Sequence, residues 1–218
     1  MDRNDAARHL AKYIQALPDF IYHEVGDSYG HIGATIADAV LQAQKDYDAY
    51  VTPRTTRILK RWPHEKTITP LLNLLVSVPA TEFLNCKDSE SSKTWLGRRV
   101  ERFCAILHLL KREKIESEAD LKAWLAKDNN LPKLHAIRGV GPKTVDYLKI
   151  LVGLQSAAID GRLRKFLGMA GITTSPNEYD TAKDIVNRTA DLLSVERSLL
   201  DHSIWRYIGD RQEGRGCA

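Results

Sequence analysis

The chain has 218 residues, 43% of them hydrophobic, and a formal net charge of +4. That length suits one domain or two closely joined lobes around a substantial core, and the composition is that of a soluble globular protein. No apolar run approaches membrane-spanning length and the opening MDRNDAARHL is too polar for a signal peptide, so a cytoplasmic protein with no membrane partner is expected.

In chain order, Ile32, Ile36, Ala39, Val40 and Ala43 recur at helical spacing and predict a first helix. Thr52-Pro53, Thr69-Pro70 and, later, Ser175-Pro176 each read as an N-cap followed by a first-turn proline. Leu96, Val100, Phe103, Leu107 and Leu110 predict another helix, and Ser117-x-x-Asp120 before Leu121 and Trp124 reads as a capping box. Leu131 to Ile137 forms a short helix in this reading, and Val145, Leu148, Leu151 and Val152 place a helix over Lys143 to Val152. Asp160 precedes a helix from Gly161 to Met169, with two more around Ala182 to Leu193 and Leu199 to Ile208. The flanks of Asp160-Gly161 do not alternate, which rejects a strand hairpin there. No alternating strand pattern appears, so the expected fold class is all-α. The glycine-rich polar tail from Gln212 to Ala218 is expected to fray.

Between the helices at 131–137 and 143–152 lies Gly139-Val140-Gly141, followed by Pro142 and Lys143. Two glycines let the backbone reach positive φ and approach another surface closely. Pro142 is pre-set for the first helical position. The free N–H groups and positive dipole end of the second helix make an anion site. A plain loop between packed helices fits the same residues, but residues 131–168 carry seven cations (Lys133, Arg138, Lys143, Lys149, Arg162, Arg164, Lys165) against Asp146 and Asp160. That net +5 exceeds the charge of the whole chain and is the footprint of a phosphate-backbone binder. Lys93, Arg98, Arg99, Arg102, Lys111, Arg112 and Lys114 form a second basic concentration. A solvated helix face accounts for it, and part of it can flank a DNA groove.

The cysteines, Cys86, Cys104 and Cys217, are too few for a four-cysteine cluster and wrongly spaced for zinc. Cys104 reads as a core thiol, and three scattered cysteines fit a reducing compartment. The seven histidines show no HxxxH or HExxH pairing.

LHAIRGVGPKTVDYLKILVG resembles the helix-hairpin-helix of the endonuclease III-like DNA glycosylases, the HhH-GPD superfamily, and AAIDGRLRKFLG resembles the catalytic-aspartate segment that follows it. The strong match covers about 35 residues, and the 17-residue separation of Lys143 from Asp160 fits the family with slight loop shortening. The resemblance implies a two-lobed helical fold with the hairpin at 131–152, one lobe about 1–62 plus 170–218 and the other about 63–169. It also implies base-excision repair on double-stranded DNA carrying a lesion or abasic site, by a nucleoid-associated monomer without the iron–sulfur cluster that many relatives carry. By the same resemblance a monovalent cation, Na+ or K+, is held by the carbonyls that map to His135, Ile137 and Val140.

The mechanism implied for Asp160 is stabilisation of positive charge on the sugar at C1′ and deprotonation of the nucleophile; helix N-capping is its plain structural role. Lys143 is the candidate Schiff-base nucleophile, which requires a neutral amine and hence a lowered pKa, or else a phosphate contact. Arg138, Gly139, Val140, Gly141, Lys149, Arg162 and Arg164 are the candidate DNA contacts. Trp95 and Tyr147 can stack on a flipped base, though burial in the core explains each as well. The segment LLNLLVSVPATEF falls where relatives carry a pocket-lining helix without reproducing their motif. Two alternatives stay open: a monofunctional glycosylase in which Asp160 activates water, and a non-catalytic DNA-binding module.

Overall fold

The computed structural model describes residues 2–42, 45–86 and 95–212, and every regular element among them is helical. The expectations placed on Ala43, Lys93 and Cys217, on the Trp95 and Leu96 side chains and on the tail beyond 212 lie outside the described residues. The chain divides into two compact units, Met1–Gly26 with Gln155–Ala218, and Asp27–Leu154. These boundaries fall after Gly26 and Leu154, whereas the sequence placed them near 62 and 169. Hydrophobic spacing marks which face of a helix is buried but not which helix it meets.

In the Asp27–Leu154 unit the central element is α2 (Ile32–Leu41). All ten of its residues are buried, Thr35 and Asp38 among eight that are apolar or glycine. Around it lie α3 (Thr52–Arg61), entered through a π turn at Tyr47–Val51, α4 (Ile68–Ser77), the short α5 (Ala80–Phe83), and α6 (Trp95–Arg112). Then follow α7 (Glu118–Leu125), α8 (Leu131–His135) and α9 (Pro142–Leu151), with α9 packed on α2 and α8 on α6. Trp62, Phe83 and Phe103 stack in series, with ring centroids 4.7 and 5.4 Å apart. Ile36, Ile58, Leu71 and Leu107 are fully enclosed, each contributing about 1.5–3 kcal/mol by burial.

The other unit is built from α1 (Arg3–Ala16), α10 (Gly161–Met169), α11 (Tyr179–Leu193) and α12 (Arg197–Gln212). Helix α1 packs on α11 and α10 on α12, around Leu10, Leu163, Phe166, Val186 and Leu200. The rings of Phe20 and Phe166 both meet that of Tyr207, at 5.4 and 5.6 Å.

The capping box forms: Ser117 accepts from the Asp120 N–H, and Asp120 accepts from the Ser117 N–H at 2.9 Å. The Thr-Pro and Ser-Pro pairs fare differently. Thr52 is already helical, behind Val51 as cap, and Thr67 rather than Thr69 occupies the N-cap of α4. The Thr69 hydroxyl instead donates to Glu116 at 2.6 Å. Ser175 opens a turn closed by Glu178, and α11 begins only at Tyr179.

Candidate active site

The hairpin links α8 to α9 in six residues. Gly139 has φ +86°, a conformation that disfavours side chains, and a Cβ there would lie 2.7 Å from Nε of Arg102. Gly141 differs from expectation: it is extended, φ −96° and ψ 178°, with open space where a Cβ would stand. No positive φ therefore requires a glycine at this position. Val140 is buried and its N–H donates to the Ile137 carbonyl at 3.0 Å, so its side chain belongs to the core. That bond also occupies one of the three carbonyls expected to hold a cation. Among the described residues the N–H groups of Gly139 and Gly141 meet no acceptor. Both are exposed or half-exposed beside the exposed Arg138, at the positive end of α9.

Lys143 occupies the second position of α9, half-buried, behind Pro142. Its Nζ donates to Oε1 of Gln42 at 2.6 Å and stands 5.3 Å from the centroid of the Tyr147 ring one turn on. Gln42 is the C-cap of α2. The amide must turn its oxygen to the ammonium, which leaves Nε2 buried without an acceptor among the described residues. A buried unmet donor costs about 1–3 kcal/mol, and this one belongs to the same amide that accepts from the Lys143 amine.

Behind Lys143 lies Asp38, fully buried on α2. The hydroxyls of Tyr29 and Tyr47 donate to its Oδ2 at 2.7 and 2.8 Å, and that of Tyr147 to its Oδ1 at 3.2 Å. Burial raises the Asp38 pKa above the ordinary carboxylate value, although the three hydroxyl donors and the charge of Lys143 oppose the rise. The three phenols are themselves pushed up, first by burial and next by the Asp38 charge, and stay protonated as donors. Tyr147 is thus committed to this cluster through its hydroxyl.

Asp160 lies in the other unit, at the N-cap of α10. One oxygen, Oδ1, accepts both cap N–H groups, from Arg162 at 2.8 Å and Leu163 at 3.0 Å. Oδ2 accepts no hydrogen bond among the described residues, so the cap fixes the carboxylate while leaving an oxygen available. The flanking arginines are turned inward. The Arg162 guanidinium lies 3.9 Å above the Trp205 ring, and Arg164 bonds Thr174, Ser175 and Pro176. Lys149 is 3.7 Å from Asp128.

The expected site residues thus separate. Arg138, Gly139, Val140, Gly141, Lys143 and Lys149 stand in one unit, and Asp160, Arg162 and Arg164 in the other. The solvated face expected of the second basic segment does not hold for Arg99 and Arg102, which are 1% and 6% exposed because they lie on the inner side of α6. The Asp38 cluster and Gln42 were not singled out in the sequence; their partners come from α2, its two flanking loops and α9, and no spacing rule connects them. Among the described residues no group of three or more His, Cys, Asp or Glu side chains is arranged to hold a metal ion. No helix among them is long and apolar enough to cross a membrane.

No curated protein matches this chain. Residues 22–209 match the family described as "Domain of unknown function (DUF8548)". That match spans most of the chain and reaches into both units, and the protein belongs to this family.

Proposed function

We propose that this protein is a DNA base-excision glycosylase of the HhH-GPD kind, removing a damaged or mismatched base from duplex DNA and nicking the product through a Schiff base. The observation that carries the reading is the setting of Lys143. It follows directly on a turn with two unused N–H groups, and its amine is held by Gln42 in front of a buried carboxyl. A lysine that only met phosphate would need no such support.

In this reading the exposed N–H groups of Gly139 and Gly141, with Arg138, grip the backbone phosphate next to the lesion. The damaged nucleotide leaves the stack to bring C1′ to the protein. Asp160, rigid through its cap, offers Oδ2 to the positive charge that develops on the sugar. The neutral Lys143 amine attacks C1′ as the bond to the base breaks, and the base departs with the bonding pair and takes up a proton. The C1′–O4′ bond of the adduct then breaks, O4′ taking up the amine's proton, which gives the Schiff base directly, and loss of a C2′ proton in β-elimination expels the 3′ phosphate. A bound monovalent cation at the hairpin carbonyls belongs to the same reading.

One feature favours a second version. A carboxylate beside an amine favours the ammonium form, so Asp38 opposes the proton loss that Lys143 needs. In a monofunctional enzyme Lys143 stays charged and Asp160 activates water. Incubation with duplexes containing abasic sites, oxidised purines, oxidised pyrimidines, uracil or alkylated bases tests both. Base release with strand cleavage selects the bifunctional enzyme, base release alone the monofunctional one, and no product from any duplex leaves only a binding module.

A further inference from the structure

Beside the hairpin, on the side facing α6, is a cavity of about 190 Å³ lined by Arg98, Glu101, Arg102, Ala105, Ile137, Arg138 and Gly139. Three guanidinium groups and one carboxylate line it, so its formal charge is +2. The first two come from the start of α6 and the third from the turn itself. Gly139 is what lets them meet, because a Cβ at that position would collide with the Arg102 guanidinium. Arg102 is almost wholly buried, and its pKa is depressed first by that burial and then by the like charges of Arg99 and Arg98. Burial also lowers the pKa of Arg99, with a smaller contribution from the like charge of Arg54 on α3. Gathering like charges away from water is unfavourable, and a bound anion offsets that repulsion by attracting each guanidinium.

We propose that this cavity is a phosphate-binding site. It is smaller than the roughly 300–1,000 Å³ of pockets that enclose organic ligands, which suits a single tetrahedral anion. Arginine forks match phosphate oxygens two at a time. The site lies on the α6 side of the turn; it shares Arg138 with the phosphate grip of the Gly139 and Gly141 N–H groups and adds Arg98 and Arg102 from α6. The phosphate is either an internal backbone group or the 5′-terminal group at a nick. Only that choice of source rests on the DNA-repair reading; the anion chemistry does not.

Two measurements on the full chain test it. In the first, inorganic phosphate is titrated while arginine Nε–H resonances are followed. The Arg98, Arg102 and Arg138 signals should shift together and saturate, with Arg112 at the far end of α6 unmoved. No saturating shift, or Arg112 moving with the others, overturns the site. In the second, duplexes that are intact, nicked with a 5′-phosphate, or nicked with a 5′-hydroxyl are bound at several salt concentrations. For the Arg98→Gln/Arg138→Gln protein the log–log salt slope should fall by about 2, about 1 for each cation. A backbone source shows this on the intact duplex. A terminal source shows a wild-type preference of tenfold or more for the 5′-phosphate nick, abolished in the variant. Wild-type affinity and slope on all three duplexes sink the proposal. Saturating arginine shifts in a protein that excises no base sink the glycosylase reading and leave the phosphate site standing.

Discussion

The Lys143 ammonium and the Gln42 side-chain oxygen lie 2.6 Å apart, joining the first turn of α9 to the C-terminal end of α2. This bond holds the amine half-buried and brings it within the influence of Asp38. Replacing Gln42 by Ala removes this bond and the buried unmet Nε2 donor. The fold should tolerate this within about 1 kcal/mol, while the rate of Schiff-base formation should change because the amine is no longer aimed. Equal rates in the two proteins would separate Gln42 from the chemistry.

Asp38 should be far less forgiving. In Asp38→Ala the hydroxyls of Tyr29, Tyr47 and Tyr147 lose their common acceptor. With about 1–3 kcal/mol for a buried group that loses its acceptor, the loss in urea unfolding should exceed about 1 kcal/mol. Asp38→Asn keeps one accepting oxygen and should lose less. Equal stability of the alanine variant and the wild type would contradict the cluster.

The two glycines of the hairpin should separate stability from binding. Gly139→Ala introduces a side chain at φ +86° and against Arg102, and should cost about 1–3 kcal/mol in chemical unfolding. Gly141→Ala meets neither strain nor contact and should be neutral or stabilising by up to about 1 kcal/mol. Its new methyl group should nevertheless weaken DNA binding if a phosphate approaches the turn there. A Gly141→Ala protein with weakened fold and unchanged binding reverses both expectations.

How much of this was legible beforehand depends on the range of the interaction. The capping box of α7 and the spacing within α2, α6 and α11 are local, and the residues that form them lie within a few turns of each other. The Asp38 cluster is not local: Tyr29 and Tyr47 stand nine residues to either side and Tyr147 lies 109 residues on. Only the packing of α9 on α2 makes them neighbours. Helix α1 escaped notice because its buried face, Ala6, Ala7, Leu10, Ala11 and Ile14, is mostly alanine and carries a weak apolar signal. Arg99 and Arg102 misled for the opposite reason, since a run of cations reads as solvated until the helix face is known. Lys143 and Asp160 came from motif resemblance, which named the residues but not the Gln42 contact or the single-oxygen cap.

His31 gives the fold a pH dependence of known sign. Its Nδ1 accepts from the Ala34 N–H at 3.2 Å and its Nε2 lies 3.0 Å from the Trp62 carbonyl, which puts the proton on Nε2. The ring is 1% exposed, and burial lowers its pKa below the ordinary 6.5. A folded pKa below the unfolded one means that the contribution is complete above about pH 6.5 and is lost as the pH falls through the lowered value. His202, also lowered by burial and by the neighbouring charges of Arg206 and His23, acts in the same direction. Unfolding free energy should therefore decline below pH 6.5, and His31→Asn should flatten part of that slope. A slope identical in the variant contradicts the assignment.

Asp160 separates capping from catalysis. Asparagine caps as well as aspartate, so Asp160→Asn should keep stability within about 0.5 kcal/mol, whereas Asp160→Ala should lose about 1 kcal/mol. Both should lose base excision. Wild-type excision by Asp160→Asn would remove the carboxylate from the mechanism.

In the proposed mechanism the Lys143 amine forms a covalent bond to deoxyribose C1′. Borohydride reduction of the protein on abasic-site duplex, followed by peptide mapping of the adduct, tests it most directly. A trapped complex should map to Lys143 and be absent from Lys143→Gln, although that variant still binds the duplex. A complex mapped to another amine, or one that persists undiminished in Lys143→Gln, contradicts it.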